Sequence, residues 1–342
     1  QKLLRIKNII DLYKNDTCSK CGLDMLIEKK DQLAVYSKND IQPIKDYYPN
    51  AITKGPQLKL HVIESLEATV VFSQQGAQLL SFIPKEQEDW FWLSPNSRFI
   101  AGQAIRGGVP ICLPWFGSHR SDASKPSHGF ARNVDWQLQG IEAMVHEHLG
   151  FCTRVAFSLD QYAQQAHPLF PFAFSAQLIC YFNDCLQLEI SVINTDHQPL
   201  PLSWALHSYH PVDNLHHARV TGLDGCHYLD NTQQLQRQRQ QGDVTFNGEV
   251  DRVFVNAPAE QRLVQRPANS TFPEAGLKVS ATGSATAIIW NPGVKKAAAM
   301  NDLGAGHQAD FVCLERGDAF DNAVELAPQE CHRATLNIEL FP

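Results

Sequence analysis

Two segments place proton-carrying side chains inside otherwise apolar runs. In Leu202-Ser203-Trp204-Ala205-Leu206-His207-Ser208-Tyr209-His210, strand parity puts Ala205, His207 and Tyr209 on one face and Trp204, Leu206, Ser208 and His210 on the other. A histidine there is either a core residue with satisfied nitrogens or a group able to give and take a proton near neutral pH. His207 and His210 lie on opposite faces, so one regular strand does not let them share a metal. In Phe311-Val312-Cys313-Leu314-Glu315, a carboxylate closes a strongly apolar run on the face of Phe311 and Cys313. A wet strand end would leave it an ordinary carboxylate, whereas burial would raise its pKa toward the range of a general base.

Two more segments combine arginine with glycine. Ile105-Arg106-Gly107-Gly108-Val109-Pro110-Ile111-Cys112-Leu113-Pro114-Trp115-Phe116-Gly117 has paired glycines that let backbone approach a ligand, followed by prolines and aromatics that stiffen the chain. It lacks the Gly-Lys-Ser/Thr ending of a nucleotide phosphate loop and is not a GxGxxG turn. His128-Gly129-Phe130-Ala131-Arg132 offers a second guanidinium. A solvated His-Arg pair is the plain reading of this segment alone. Together with Arg106 it supplies two planar forks for one anion, the geometry that suits phosphate.

Strands must position these groups. Period-two alternation sets Leu58, Leu60 and Val62 against Gln57, Lys59 and His61. It returns with Leu186, Leu188, Ile190 and Val192 against Gln187, Glu189 and Ser191, and with Leu336, Ile338 and Leu340 against Thr335, Asn337 and Glu339. Each run predicts one buried and one wet face. Shorter β-rich runs at 68–73, 151–159, 174–181, 285–290 and 311–315 are separated by Gly, Pro, Asn and Asp. Leu3, Leu4, Ile6, Ile9, Ile10 and Leu12 recur at helical spacing, and long helical periodicity is nearly absent after residue 50. The expected fold is all-β, a large antiparallel β-sandwich, with a partly helical extension over 1–55 and the β domain over 56–342.

Composition narrows the partners. In 342 residues, 44% are hydrophobic, enough for a large core, and the formal charge of -7 provides no general basic field for nucleic acid. An anionic substrate therefore needs a site built locally from a few arginines or lysines. No apolar run has the length of a membrane span and no signal-peptide pattern opens the chain, so a soluble cytoplasmic protein is expected, and a monomer is its expected form although no residue pattern fixes the oligomeric state. Nine cysteines, several alone in apolar runs (Cys152, Cys180, Cys313), read as reduced core thiols. Cys18 and Cys21 have metal-ligand spacing without a second ligand pair, and no metal is expected there.

The ordered series Gly76-Ala77-Gln78-Leu79-Leu80-Ser81, Leu93-Ser94-Pro95, Arg106-Gly107-Gly108-Val109-Pro110, His128-Gly129-Phe130-Ala131-Arg132, Leu206-His207-Ser208-Tyr209, Glu249-Val250-Asp251-Arg252-Val253, Trp290-Asn291-Pro292 and Val312-Cys313-Leu314-Glu315 resembles the glucose-6-phosphate 1-epimerase branch of the galactose mutarotase-like family over about residues 56–342. The resemblance implies a β-sandwich that holds an aldose, with His207 as general acid and Glu315 as general base. It further implies that Arg106 and Arg132 bind phosphate, that His128 contacts the sugar, and that Asp251 or Arg252 lines the site. Asp230 is implied as an acceptor for a sugar hydroxyl. No cofactor or metal is implied, because mutarotation moves protons only. Three readings follow: a hexose 6-phosphate mutarotase, a mutarotase of unphosphorylated hexoses with structural arginines, or a sugar-phosphate-binding protein without catalysis. Glycoside hydrolysis fits less well, since it uses two carboxylates across the scissile bond. Two departures from the family pattern, His210 and Gly293, fall where an aromatic and a bulky residue are expected.

Overall fold

The computed structural model describes residues 38–341 except 43, 50, 56, 120 and 266–273. Two antiparallel sheets dominate it. One has nine strands, running in space from Gln137–His146 through Gly150–Gln161, Phe174–Phe182, Leu186–Asn194, Cys331–Phe341, Gly276–Thr282, Glu260–Val264 and Arg219–Thr221 to Val244–Thr245. The other, the site sheet, runs from Gln236–Arg239 through His227–Asp230, Val250–Phe254, Thr286–Asn291, Phe311–Asp318 and Trp204–Leu206 to Ile111–Cys112, with Tyr209–Pro211 also paired to Phe311–Asp318.

Period-two geometry explains how the sheets stack. Trp204, Leu206, Phe254, Ile289 and Leu314 from the site sheet join Phe157, Leu178, Leu188, Ile190 and Leu336 from the nine-stranded sheet in one buried cluster. Each such side chain contributes about 1.5–3 kcal/mol on burial. The alternate residues of the site sheet face away from that core. They form two smaller clusters, one with Ala205, Leu229, Val253 and Ile288, the other with Tyr209, Trp290, Phe311 and Cys313 beneath Trp92. The expected all-β sandwich is the observed fold, and the longest helix among the described residues, Gly293–Ala299, has seven. No described helix is long and apolar enough to cross a membrane.

The wet faces differ from expectation. Gln187 and Ser191 are buried, because Leu186–Asn194 lies inside the sheet and long neighbours such as His146 and Arg333 reach over its polar face. His61 is also buried, held by Gln74 and packed edge-on against Phe157. The described cysteines are free, and Cys152, Cys180 and Cys313 are buried core thiols. The helical pattern at 3–12 and the Cys18, Cys21 pair lie outside the described residues. The described part of the expected extension is not separate from the domain. Lys38–Gln42 pairs with Leu60–Glu64, Ile52–Lys54 runs parallel to Arg98–Ile100, and Ile44 and Ala51 pack with Leu60 and Phe99.

The paired glycines have a different task from the one their sequence suggested. Gly107 and Gly108 have φ of 121° and 61°, and a Cβ on them would lie 2.4 Å from the Trp92 carbonyl oxygen and 2.2 Å from that of Leu79. They let three backbone segments close on each other, so that Gly108 N donates to Trp92 O, Val109 N donates to Leu79 O and Tyr209 N donates to Gly108 O. Gly108→Ala is predicted to lose about 2–4 kcal/mol of stability, read from the urea midpoint, because both the φ and the contact forbid a side chain.

Candidate active site

Cα partners across the site sheet fall in rows. Leu229, Val253, Ile288 and Glu315 form one row, and Asp251, Trp290, Cys313 and Tyr209 form the row two residues along, on the same face. The intervening row, Asp230, Arg252, Ile289 and Leu314, points to the other side. Parity thus sends Asp251 toward the site and turns Asp230 and Arg252 away from it. Arg252 donates to Gln240 Oε1 at 2.7 Å and lies over the Tyr228 ring, while Asp230 caps a short turn by accepting from Thr232 and Gln233. Neither lines the cavity.

His207 sits where the ladder is interrupted. Trp204–Leu206 and Tyr209–Pro211 pair with Phe311–Asp318 in one continuous register, Leu206 with Arg316 and Tyr209 with Cys313, which leaves His207 opposite Glu315. The His207 amide turns aside to donate to Pro110 O, and Ser208 Oγ donates to Leu314 O. Both features keep the backbone satisfied at the break. Ala205, His207 and Tyr209 share a face, as parity required, with the imidazole stacked on the Tyr209 ring at 4.8 Å and edge-on to Trp290. Glu315 does not end its strand, which continues to Asp318 with every residue buried.

His207 Nδ1 and Glu315 Oε1 approach to 3.3 Å, yet they are not aligned as a hydrogen bond. Both Glu315 oxygens and His207 Nδ1 are buried with no hydrogen-bond partner. Burial drives the Glu315 carboxyl well above its ordinary pKa, Asp251 pushes the same way, and Arg132 opposes them. Burial likewise drives His207 well below its ordinary value, reinforced by Arg132 and Arg106. Burial therefore disfavours the charged form of both groups, the carboxylate and the imidazolium.

Around the pair is a cavity of about 900 Å³, lined by Arg106, His128, Arg132, His207, Asp251 and Glu315. That is at the upper end of the range for small-molecule sites. Gly117 N donates to His128 Nδ1 at 3.3 Å, which makes Nδ1 the acceptor and leaves the proton on Nε2. Burial and Arg132 hold this ring neutral too. Arg106 is already engaged: Nε and Nη2 donate to Asp302 Oδ2, and Nη1 donates to the Tyr209 hydroxyl. Arg132 donates through Nη2 to Ser127 O, but its Nε is buried without a partner. Asp251 accepts from Asn231 at 2.9 Å, and its pKa is raised by burial.

Lys296, Asn231, Phe116 and Phe320 also line the cavity and were not singled out from sequence. Lys296 Nζ lies 2.7 Å from Glu249 Oε1 and 3.8 Å from Asp251 Oδ2. The alanine-rich run after Trp290-Asn291-Pro292 suits a helix, and the helix Gly293–Ala299 brings Lys296 to the rim, but nothing in the sequence placed a cavity beside it. Gly293 begins that helix at φ 62°, and a Cβ there would meet Glu249 N at 2.7 Å, so no bulky residue fits. His210 is fully buried against Phe91 with Nδ1 3.1 Å from Trp90 O, and burial lowers its pKa to about 4. It fills the place of an aromatic ring and stays out of the cavity.

A family model described as aldose 1-epimerase matches residues 59–339. A Cenchrus ciliaris protein named "Putative glucose-6-phosphate 1-epimerase" is 31% identical over 272 residues, 78% of this chain and 80% of that protein. An Escherichia coli K12 protein of the same name is 30% identical over 282 residues, 82% and 90% of the two chains. Among solved structures, one from Salmonella typhimurium titled a "putative mutarotase" superposes with a TM-score of 0.75 at 26% identity, covering 90% of this chain and 95% of that one. A galactose mutarotase-like protein from Lactobacillus casei shares the fold, with a TM-score of 0.60 at 17% identity over 82% of this chain and 100% of its own. With its sandwich, its cavity and its match over nearly the whole described domain, the chain belongs to the aldose 1-epimerase family.

Proposed function

We propose that the protein interconverts the α and β anomers of glucose 6-phosphate and related hexose 6-phosphates, without a cofactor. The observation that carries this reading is the buried His207 and Glu315 pair, 3.3 Å apart with unpartnered proton-accepting atoms, in the same cavity as Arg106 and Arg132. Ring opening needs the C1 hydroxyl proton removed while the ring oxygen gains one. The C1–O5 bond breaks, the aldehyde turns about C1–C2, and closure reverses both transfers. A pair that holds one proton contains one donor and one acceptor, so it returns to its starting state after each turnover. Glu315 takes the hydroxyl proton and His207 donates to the ring oxygen.

The arginines give the phosphate a role in that proton balance. Their charges help to keep His207 neutral in the free protein. A phosphate dianion beside them offsets those charges and favours the imidazolium–carboxylate form in the complex. Arg132, with an unpartnered Nε, supplies the freer guanidinium, whereas Arg106 is shared with Asp302 and Tyr209. His128 Nε2–H and Asp251 are positioned to meet sugar hydroxyls. The alternative, an unphosphorylated hexose, leaves the Arg132 Nε without a task, and pure binding leaves the burial of Glu315 without one.

Three outcomes follow. Arg132→Ala is expected to lower kcat/KM for glucose 6-phosphate by about 10- to 100-fold, the worth of a charge-assisted hydrogen bond, while glucose changes little; equal losses on both sugars would point to the unphosphorylated substrate. The pH–rate profile should be bell-shaped, because the pair works only with one proton. Its acid limb lies below the ordinary histidine value, as His207 is lowered, and its alkaline limb lies well above the ordinary carboxyl value, as Glu315 is raised. For the stability difference between wild type and Glu315→Gln the sign is set by Glu315: its folded pKa exceeds its unfolded one, so the unfolded chain ionises first and this contribution falls as pH rises past the unfolded value. Glu315→Gln removes that cost, and its melting temperature should exceed the wild type's at pH about 8 and converge with it toward pH about 4.

A further inference from the structure

Cys313 lies beside the proton pair and has no part in the proposed reaction. It shares the strand face of Glu315 two residues away and pairs across the sheet with Tyr209 and Trp290. One donor atom each from His207, Cys313 and Glu315 lie within 4.8 Å of one another, and all three side chains are buried. It is the only group of three such donors among the described residues. From this juxtaposition we propose that His207, Cys313 and Glu315 form a binding site for a thiophilic divalent cation of the zinc class, and that the cation excludes the sugar.

The geometry suits a tetrahedral ion. Metal–nitrogen and metal–oxygen bonds of about 2.0–2.1 Å place neighbouring donors about 3.3 Å apart at tetrahedral angles, and the His207 Nδ1 to Glu315 Oε1 distance is 3.3 Å. The thiolate bond is longer, about 2.3 Å, so modest side-chain rotations bring the Cys313 sulfur into the shell. Both Glu315 oxygens and His207 Nδ1 lack a hydrogen-bond partner, so coordination breaks no existing bond at these atoms. A thiol, an imidazole and a carboxylate form a mixed set that holds zinc and cadmium in preference to magnesium or calcium.

Charge and protons balance as well. The ion displaces the proton held by the His207 and Glu315 pair and the proton of the Cys313 thiol. Two protons leave as the dication enters, and the occupied site carries the charge of the empty one. Among the cavity cations, Arg106 is offset by Asp302 and Lys296 by Glu249, which leaves Arg132 as the cation that opposes the ion. Asp251 stands in the same cavity and adds a negative charge. Three protein ligands leave a fourth position open toward the cavity, where water or a hydroxyl completes the shell. The ion uses the donor atoms that the proposed reaction needs, so metal and substrate compete.

The probe is cadmium chloride, added to the full chain carrying Cys18→Ser and Cys21→Ser, which removes the thiol pair that could bind cadmium by itself. The expected result is a saturable ultraviolet thiolate-to-cadmium absorption at one equivalent, absent in the further Cys313→Ser variant and retained in a Cys331→Ser variant. Cys331 is the exposed described cysteine and serves as the control. Anomer exchange should be inhibited by cadmium, with at least a 10-fold loss of inhibitor potency in Cys313→Ser. Absence of the absorption, or its persistence in Cys313→Ser, would overturn the site. The absorption does not depend on turnover, so this inference can fail while the proposed reaction stands, and the reverse.

Discussion

Everything in the site depends on a carboxyl and an imidazole being placed face to face in the middle of a sheet. Glu315 is fully buried and His207 nearly so, in a row bounded by Ile288, Val253 and Leu229 on one side and by Trp290 and Tyr209 along the strand. An isolated charge in such surroundings is costly, so burial favours the neutral form of each group. The strands make this possible because each holds a register with two neighbours and cannot drift to relieve the polar contact. The break at His207 and Ser208 is the one irregularity that the arrangement requires between those two short strands, and the Pro110 and Leu314 carbonyls satisfy it.

The cationic groups come from outside that sheet core. Arg106 precedes a segment threaded between Trp92 and Leu79, Arg132 sits on a 3-10 turn, and Lys296 sits on the short helix after Trp290. Two of them are offset by fixed carboxylates, Asp302 and Glu249. A chain of net charge -7 can therefore present a positive spot without a positive surface. Arg132 and Arg106 also help to hold the His207 pKa down, so in the proposed reaction binding of the anion and readiness of the acid would be coupled electrostatically.

Much of this was legible in the sequence, and for physical reasons. Strand runs such as 68–73 and 174–181 match observed strands closely because β-branched and aromatic residues between turn formers suit a pleated, largely buried surface. The parity of Ala205, His207 and Tyr209 survives even across the ladder break. Parity also separates Asp251 from Arg252, which a motif alone does not, since adjacent residues in a strand cannot face one cavity. What stayed hidden depends on distant pairing. The register that puts Glu315 opposite His207, the burial of Gln187 and Ser191, and the closing of Gly107 and Gly108 on other backbone rather than on a ligand all involve residues remote in sequence. Lys296 was hidden for the same reason, because a lysine on a short helix reads as solvent-facing until the cavity beside it is known.

The most direct test of the account is the rate of α-to-β exchange of glucose 6-phosphate, followed by NMR magnetisation transfer with the wild-type protein and with Glu315→Gln. Glutamine keeps the shape of Glu315 but cannot carry the shared proton, so the account predicts acceleration by the wild type and a loss of about 10²- to 10⁴-fold in the variant. Equal acceleration by both proteins would remove Glu315 from the chemistry, and no acceleration by the wild type would contradict the mutarotase reading itself.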